Sequence, residues 1–396
     1  GVMGVATLMG VVALWPLVTS GAAPTLVLVD ALLPGVPLAF EVEPLGLLYA
    51  LVAAGLWPIT GMYAAGYMRG HHEKNQTRFF VCFALAIFAA LGIAFAENLG
   101  TFFLFYEVLT LSTYPLVTHH QTAEARRAGR VYLGILIGTS ICFLLLAIAW
   151  TGHMAGTLEF RAGGILEGHI AEASVPLLLG LFAYGCGKAA LMPLHRWLPN
   201  AMVAPTPVSA LLHAVAVVKA GVFGILKIVV YVFGLDLLTS TEGSVWLMWV
   251  ASFTIVMGSL VAFTKDNLKA RLAYSTIAQL AYIVLGAALA TPDGIVGGGL
   301  HIATHAVGKI TLFFCAGAIL VGAHKKNISD MDGLGRTMPF TMGAFLIGSL
   351  SIIGLPPLGG SWSKWFLALG AADEHAIFIA ILMLRSPLNP RPLSTS

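Results

Sequence analysis

Residues 294–322 read GIVGGGLHIATHAVGKITLFFCAGAILVG, an apolar run interrupted at His301, His305 and Lys309. A helix crossing the hydrocarbon core needs about 20 predominantly apolar residues, and this run exceeds that. The three interruptions are spaced by four, so they project from one helix face. A charge at the helix centre costs at least about 2.5–3.5 kcal/mol on insertion scales. The stretch therefore predicts a membrane helix that carries titratable groups into the bilayer along a single stripe.

The rest of the chain agrees with that solvent. Of 396 residues, 58% are hydrophobic and 10% charged, and mean hydropathy is +0.89. Water-soluble domains carry about 25% charged residues, so soluble classes are excluded. The lipid bilayer is the expected environment and no nucleic-acid partner is expected. The four cysteines (Cys82, Cys142, Cys186 and Cys315) lie in apolar stretches without metal-ligand spacing. They read as small core side chains, with no metal and no cofactor implied.

The same length template predicts spans near 1–19, 45–66, 79–96, 100–118, 131–151, 175–203, 208–234, 244–263, 272–290, 294–322 and 338–370, with the start of another at 376–384. The fold class is thus an all-α polytopic membrane helix bundle. Two spans are overlong. One contains Pro193 and Pro199, the other Pro356, Pro357, Gly359 and Gly360. Proline removes a backbone donor and clashes with the preceding turn, so both helices are expected to break in mid-membrane.

Alternating the loops across the bilayer places thirteen Lys and Arg on one side, in 67–78, 119–130, 264–271 and 323–337 and at Arg196. The other side receives Arg161 alone among eleven carboxylates, from Asp30 to Glu374. The positive-inside rule makes the basic side cytoplasmic.

With loop charges subtracted, Glu107, Lys188, Lys219, Lys227, Lys309 and Lys364 remain within the bilayer, with His213, His301 and His305. Six unpaired charges would cost on the order of 15 kcal/mol, so they are expected to pair, line water or carry function. Lys227, nearest the outer interface, is expected to snorkel. Glu107 and Lys188 are the acid and base nearest the first break, and direct or one-water contact between them is expected. Histidine exchanges protons at working pH, and a lysine beside it supplies rotatable donors. Each half of the chain thus carries a proline-broken helix beside a lysine and another helix with a central lysine, the pattern of a transport pathway.

These residues also resemble a known family. The run KAALMPLHRWLPNAMVAPTPVSALLHA at 188–214 is similar to the signature of antiporter-like subunits of respiratory complex I, Mrp-type sodium/proton antiporters and membrane-bound hydrogenases. So are FYEVLTLS at 105–112, HIATHAVGK at 301–309 and GLPPLGGSWSK at 354–364. The resemblance covers about 1–385. It implies a fold of two inverted five-helix repeats, each with a broken helix, within about fourteen helices.

It further implies proton or Na+/H+ translocation in a complex I-like or Mrp-type assembly, with other membrane subunits as partners, in a bacterial inner membrane. By motif position, Glu107 matches the family's buried glutamate and Lys188 the lysine of the first broken helix. Lys219 matches a connecting lysine. His301, His305 and Lys309 match the link between half-pathways, and Lys364 the lysine of the second broken helix.

The family's first helix has no counterpart before Gly1, and its last helices stop at Leu384. A truncated product is therefore expected, with 1–385 as the membrane domain and 386–396 as a polar non-membrane tail. Two other readings remain open. One is a quinone- or haem-binding redox subunit; the other is an inert membrane scaffold. No flavin or nucleotide motif supports the first. As a translocase subunit, the chain would itself carry no redox-catalytic site.

The span assignment makes a direct prediction. Single cysteines introduced into 67–78, 119–130, 264–271 and 323–337 should all react with a membrane-impermeant thiol reagent from the same side. Labelling of any two from opposite sides would refute the assignment.

Overall fold

The computed structural model describes residues 2–33, 35–372 and 375–384. The expected tail at 386–396 and the acidic pair Asp373 and Glu374 lie outside the described residues. Helices dominate. In chain order they include α1 (Val2–Ala13), α2 (Pro44–Gly70), α3 (Gln76–Ala94), α4 (Leu99–Val117), α5 (Ala123–Thr139), α6 (Leu145–Ala155), α7 (Val175–Gly185), α8 (Thr206–Ala210) and α9 (Val217–Ile228). There follow α10 (Val245–Thr264), α11 (Leu268–Ala288), α12 (Pro292–Ala323), α13 (Pro339–Ile353), α14 (Gly359–Ala372) and α15 (Ile377–Leu384). Among the described residues, seven helical segments are long and apolar enough to cross a membrane. Side-chain caps set several helix starts. Asn98, Thr122, Asn267 and Thr291 each accept a hydrogen bond from the backbone N–H three residues on, which satisfies one of the donors a helix leaves open.

The all-helical expectation misses one element. Thr25–Leu33 (β1) and Val36–Glu41 (β2) form an antiparallel hairpin, turned at Gly35 with φ +77°. Leu and Val fill most of β1, and Val36, Leu38 and Phe40 alternate along β2, the period of a pleated strand. Ala39 N–H donates to Thr101 Oγ1 (3.2 Å) and Asn98 Nδ2 to the Pro37 carbonyl (3.0 Å), which ties β2 to the start of α4.

Both expected breaks are present, but the first begins ahead of its prolines. Helix α7 ends at Gly185, Gly187–Ala189 makes a tight 3-10 turn, and Ala190 turns left-handed with φ +54°. Crowding shapes this site. A Cβ on Gly185 would lie 2.5 Å from Leu144 N, on Gly187 2.2 Å from Thr139 Oγ1, and on Gly221 2.1 Å from Ala189 N. Three backbones therefore converge where glycine alone permits it.

Hydrocarbon leaves no water to satisfy freed backbone groups, and side chains replace it. Trp197 Nε1 donates to the Gly187 carbonyl (3.1 Å) and the Tyr184 hydroxyl to the Met192 carbonyl (3.1 Å). Lys188 N–H donates to the Tyr106 hydroxyl (3.1 Å), and Met192 N–H to Thr254 Oγ1 (3.3 Å). At the second break α13 stops at Gly354, φ +90°, and the Lys364 ammonium donates to the carbonyls of Ile352 and Ile353.

Wider π-turns interrupt two further spans, at Ser140–Leu144 between α5 and α6 and at Leu211–Val215 between α8 and α9. The loops sort to two ends. At the basic end Arg78 donates to the His119 carbonyl (3.2 Å), and Ile328 N–H and Ser329 bond Asp266. Those bonds to Ser329 hold the Asp266 carboxyl below its usual range. At the acidic end Phe160 N–H donates to the Glu97 carbonyl and Arg161 N–H to that of Tyr231.

Gly221→Ala should push α9 off the first break, and overpacking against backbone costs about 1–3 kcal/mol or more. Gly134→Ala, with nothing within 4 Å of its added Cβ, should be neutral or slightly stabilising. Thermal unfolding in detergent checks both; equal midpoints for the two variants would contradict this packing.

Candidate functional site

The intramembrane residues separate into a connected line and a staple. The line centres on α9 and α12. Lys219 and His305 are both buried, and Lys219 Nζ lies 2.7 Å from His305 Nδ1. One turn up α12, His301 stacks on His305 with ring centroids 5.9 Å apart. Its Nδ1 meets Ser363 Oγ at 2.8 Å and its Nε2 meets Gln279 Oε1 at 2.7 Å. Ser363 adjoins Lys364, whose Nζ lies 5.4 Å from the Tyr282 ring. One turn the other way, the buried Lys309 donates to the Leu272 carbonyl (3.3 Å). The stripe expected on α12 thus acquires partners from α9, α11 and α14.

Gln279, Tyr282 and Ser363 are absent from the expected set. Neutral polar residues in an apolar helix give only a weak signal, and only packing brings them to His301.

His213 belongs with this line. It sits on the π-turn before α9, fully buried, and neither ring nitrogen has a partner among the described residues. Phe313 lies against it at 4.8 Å, and Lys309 and Lys269 are within electrostatic range. A π-turn leaves backbone and side chain offset from the α-helical register and recurs at functional positions.

Of the direct or one-water contact expected between Glu107 and Lys188, the direct form is not made among the described residues. Lys188 is fully buried in the first break. Its ammonium donates to the Tyr106 carbonyl (2.8 Å) and sits 3.1 Å from the centre of the Tyr106 ring. The Glu107 carboxylate stays within electrostatic range, and its buried Oε1 has no hydrogen-bond partner. Adjacent residues on a helix do not share a face. A lysine seated on Tyr106 therefore meets Glu107 only across the turn.

Lys227 does not snorkel. It is 1% exposed and its Nζ lies 3.1 Å from Glu43 Oε1. It also donates to the carbonyls of Ala96 (2.8 Å) and Ala94 (3.4 Å). Glu43 in turn caps α2 by accepting from Leu45 N–H and Gly46 N–H (3.0 Å each), and it accepts the Tyr231 hydroxyl at 2.5 Å. Every donor and acceptor of the pair is occupied. Around it, burial together with neighbouring carboxylates holds Glu41 and Glu97 above the usual carboxylate range, although Lys227 pulls Glu41 down.

The comparisons with known proteins can be set beside this geometry. The family model described as NADH:quinone oxidoreductase/Mrp antiporter, TM, matches residues 96–388. NADH-quinone oxidoreductase subunit N of Desulforudis audaxviator is 34% identical over 359 residues, covering 88% of this chain and 69% of that protein. Hydrogenase-4 component B of Escherichia coli is 31% identical over 367 residues, 89% of this chain and 53% of that protein. The chain therefore spans about half the length of that relative. A chain in the solved structure of the Mrp complex from a Dietzia species superposes with a TM-score of 0.85 at 25% identity, covering 99% of this chain and 72% of that one.

The staple yields a test. Removing one partner of a buried ion pair costs about 3–5 kcal/mol because a charge is left unpaired. Lys227→Met should therefore lower the unfolding midpoint strongly, and adding Glu43→Gln to it should restore part of the loss. A double variant as unstable as the sum of the singles would show that the two side chains act separately.

Proposed function

The chain belongs to the NADH:quinone oxidoreductase/Mrp antiporter family of membrane subunits, and on that footing we propose that it moves protons, or exchanges them for Na+, across a membrane. It does so as one subunit of a larger complex I-like or Mrp-type assembly. The bilayer in this reading is a bacterial inner membrane. Residues 1–385 act as one translocating unit made of two inverted repeats, one broken at Lys188 and the other beside Lys364.

The observation that carries this reading is the 2.7 Å contact between Lys219 and His305. A charged ammonium can hand its proton along that hydrogen bond to a neutral imidazole. The amine is then neutral, and the new imidazolium repels any proton following from Lys219. His301 lies one turn on, about 6 Å along the helix axis, and Gln279 and Ser363 fix its ring. Ser363 then leads to Lys364. In the other direction Lys309 and His213 extend the line toward the basic end. Glu107 and Lys188 set the local field, the carboxylate lying within electrostatic range of the ammonium.

A redox reading would ask His301 to bind a haem iron, yet both of its ring nitrogens are engaged by Gln279 and Ser363. That favours the relay. The scaffold reading accepts any replacement that packs.

Lys309→Met and Lys219→Met should each leave assembly intact while lowering proton or Na+ transport by about 100-fold, the scale on which a general acid–base group acts. His305→Ala should cost less, because water can bridge the gap. Proteoliposomes holding the assembled complex, read with a pH-sensitive dye and with 22Na+, decide the matter. Unchanged transport in an assembled Lys309→Met complex would leave only the scaffold.

A further inference from the structure

The basic end of the molecule holds a cavity of about 950 Å³, formed where the end of α2, the starts of α5 and α11, the end of α12 and the turn after the first break meet. Arg127, Arg196, Lys269, Lys325 and Lys326 face it, against the carboxylates of Glu73 and Glu124. Basic loops on an inner face are ordinary. The convergence of five cations on one cavity is what sets this place apart.

Three cations elsewhere on this end spend donors on the chain itself. Arg78 bonds the His119 carbonyl (3.2 Å), Arg126 that of Gln121 (3.1 Å), and Arg271 that of Ala262 (3.2 Å). Among the described residues, the side chains of Arg127, Arg196, Lys325 and Lys326 make no hydrogen bond or ion pair. Lys269 donates once, to the Ala204 carbonyl (2.6 Å), and an ammonium has three donors. Lys326 lies close enough to repel it.

The two carboxylates offset only part of the charge of the five cations. Glu73 is taken by three histidines, with His71 Nδ1 at 3.2 Å, His120 Nδ1 at 3.5 Å and His119 Nε2 at 3.7 Å. Glu124 forms no ion pair among the described residues. The cavity is therefore a concentration of like charge with open donors, and its walls focus the field. Guanidinium forks and ammonium groups together suit an anion with several oxygens, of which phosphate is the commonest. The lining also runs inward to apolar Val131, Ala316 and Leu320. A free ion gains nothing from such a wall, whereas an acyl chain does.

We propose that this cavity binds a phosphate-bearing anion and that in the membrane it is filled by the headgroup of an anionic phospholipid. Basic pockets between transmembrane helices on the cytoplasmic side are suited to such headgroups. The inference does not depend on what the buried relay transports. Occupancy would neutralise the inner end and brace the first break against α11 and α12.

The test uses the full chain with its partner subunits, stripped of lipid in neutral detergent. It is titrated with phosphatidylglycerol, phosphatidylcholine and inorganic phosphate, with bound lipid counted by native mass spectrometry. Phosphatidylglycerol should bind about tenfold or more tightly than phosphatidylcholine. The triple variant Arg127→Gln/Lys325→Gln/Lys326→Gln should abolish that preference. The equally charge-depleted triple Arg69→Gln/Lys74→Gln/Arg130→Gln, outside the cavity, should keep it. Competition by inorganic phosphate would support the anion site with a free ion as its source. Equal loss in both triples, or equal binding of the two lipids, would overturn the proposal. On the unaltered protein, phosphatidylglycerol should also slow backbone hydrogen exchange at residues 122–128 and 324–328. Unchanged exchange there would count equally against it.

Discussion

Backbone polar groups in hydrocarbon have no water to turn to, and the two interrupted helices are where that constraint is hardest to meet. At the first break, Trp197, Tyr184, Tyr106 and Thr254 side chains take up exposed carbonyls and N–H groups. At the second, the Lys364 ammonium covers two carbonyls at the end of α13. These substitutes hold the breaks open as stable features. They also place a lysine at each one, so the repair of the backbone and the placement of charge are a single arrangement.

Buried lysines in this chain have two different environments, and the difference decides what each can do. Lys227 is surrounded by a carboxylate and two carbonyls, with its partner Glu43 equally occupied. Removing its proton would break several charge-assisted bonds at once, so it behaves as a fixed charge that sews α9 to α2 and to the end of α3. Lys219, two turns earlier on the same helix, faces an imidazole. Histidine can accept the proton that a carboxylate would merely attract. One helix thus carries a lysine locked in an ion pair near the acidic end and another facing an imidazole at its centre, with Gly221 holding it against the first break.

The two ends of the molecule are built on opposite electrostatic plans. At the outer end acidic groups crowd around one saturated lysine, and burial raises Glu41 and Glu97. At the basic end a cavity gathers five cations, four of them with no side-chain partner among the described residues, and three histidines surround the one carboxylate of Glu73. Burial holds His119 below its ordinary value even though Glu73 pulls the other way. The Lys227–Glu43 pair is saturated at the acidic end, and the basic end is left with charge to satisfy. The buried line from His213 to Lys364 lies between them.

Much of this was legible in the sequence because it rests on one-dimensional quantities. The length of apolar runs gives the spans, the alternation of loop charges gives the two ends, and the rarity of charge in hydrocarbon picks out Glu107, Lys188, Lys219, His301, His305, Lys309 and Lys364. Three features were not legible, for the same reason: each depends on which chemically ordinary neighbour lies across a helix interface. Gln279 and Ser363 become partners of His301 only through packing, as Glu43 becomes the partner of Lys227. Tyr106 takes the Lys188 ammonium that Glu107, one residue further round the helix, does not reach. The position of the first break likewise follows from glycines that let three backbones meet, and not from the prolines that follow it. Sequence alone determined which side chains cannot be idle in a membrane; tertiary structure decided which are locked and which can exchange a proton, because only spatial neighbours set the number of hydrogen bonds a buried charge must give up.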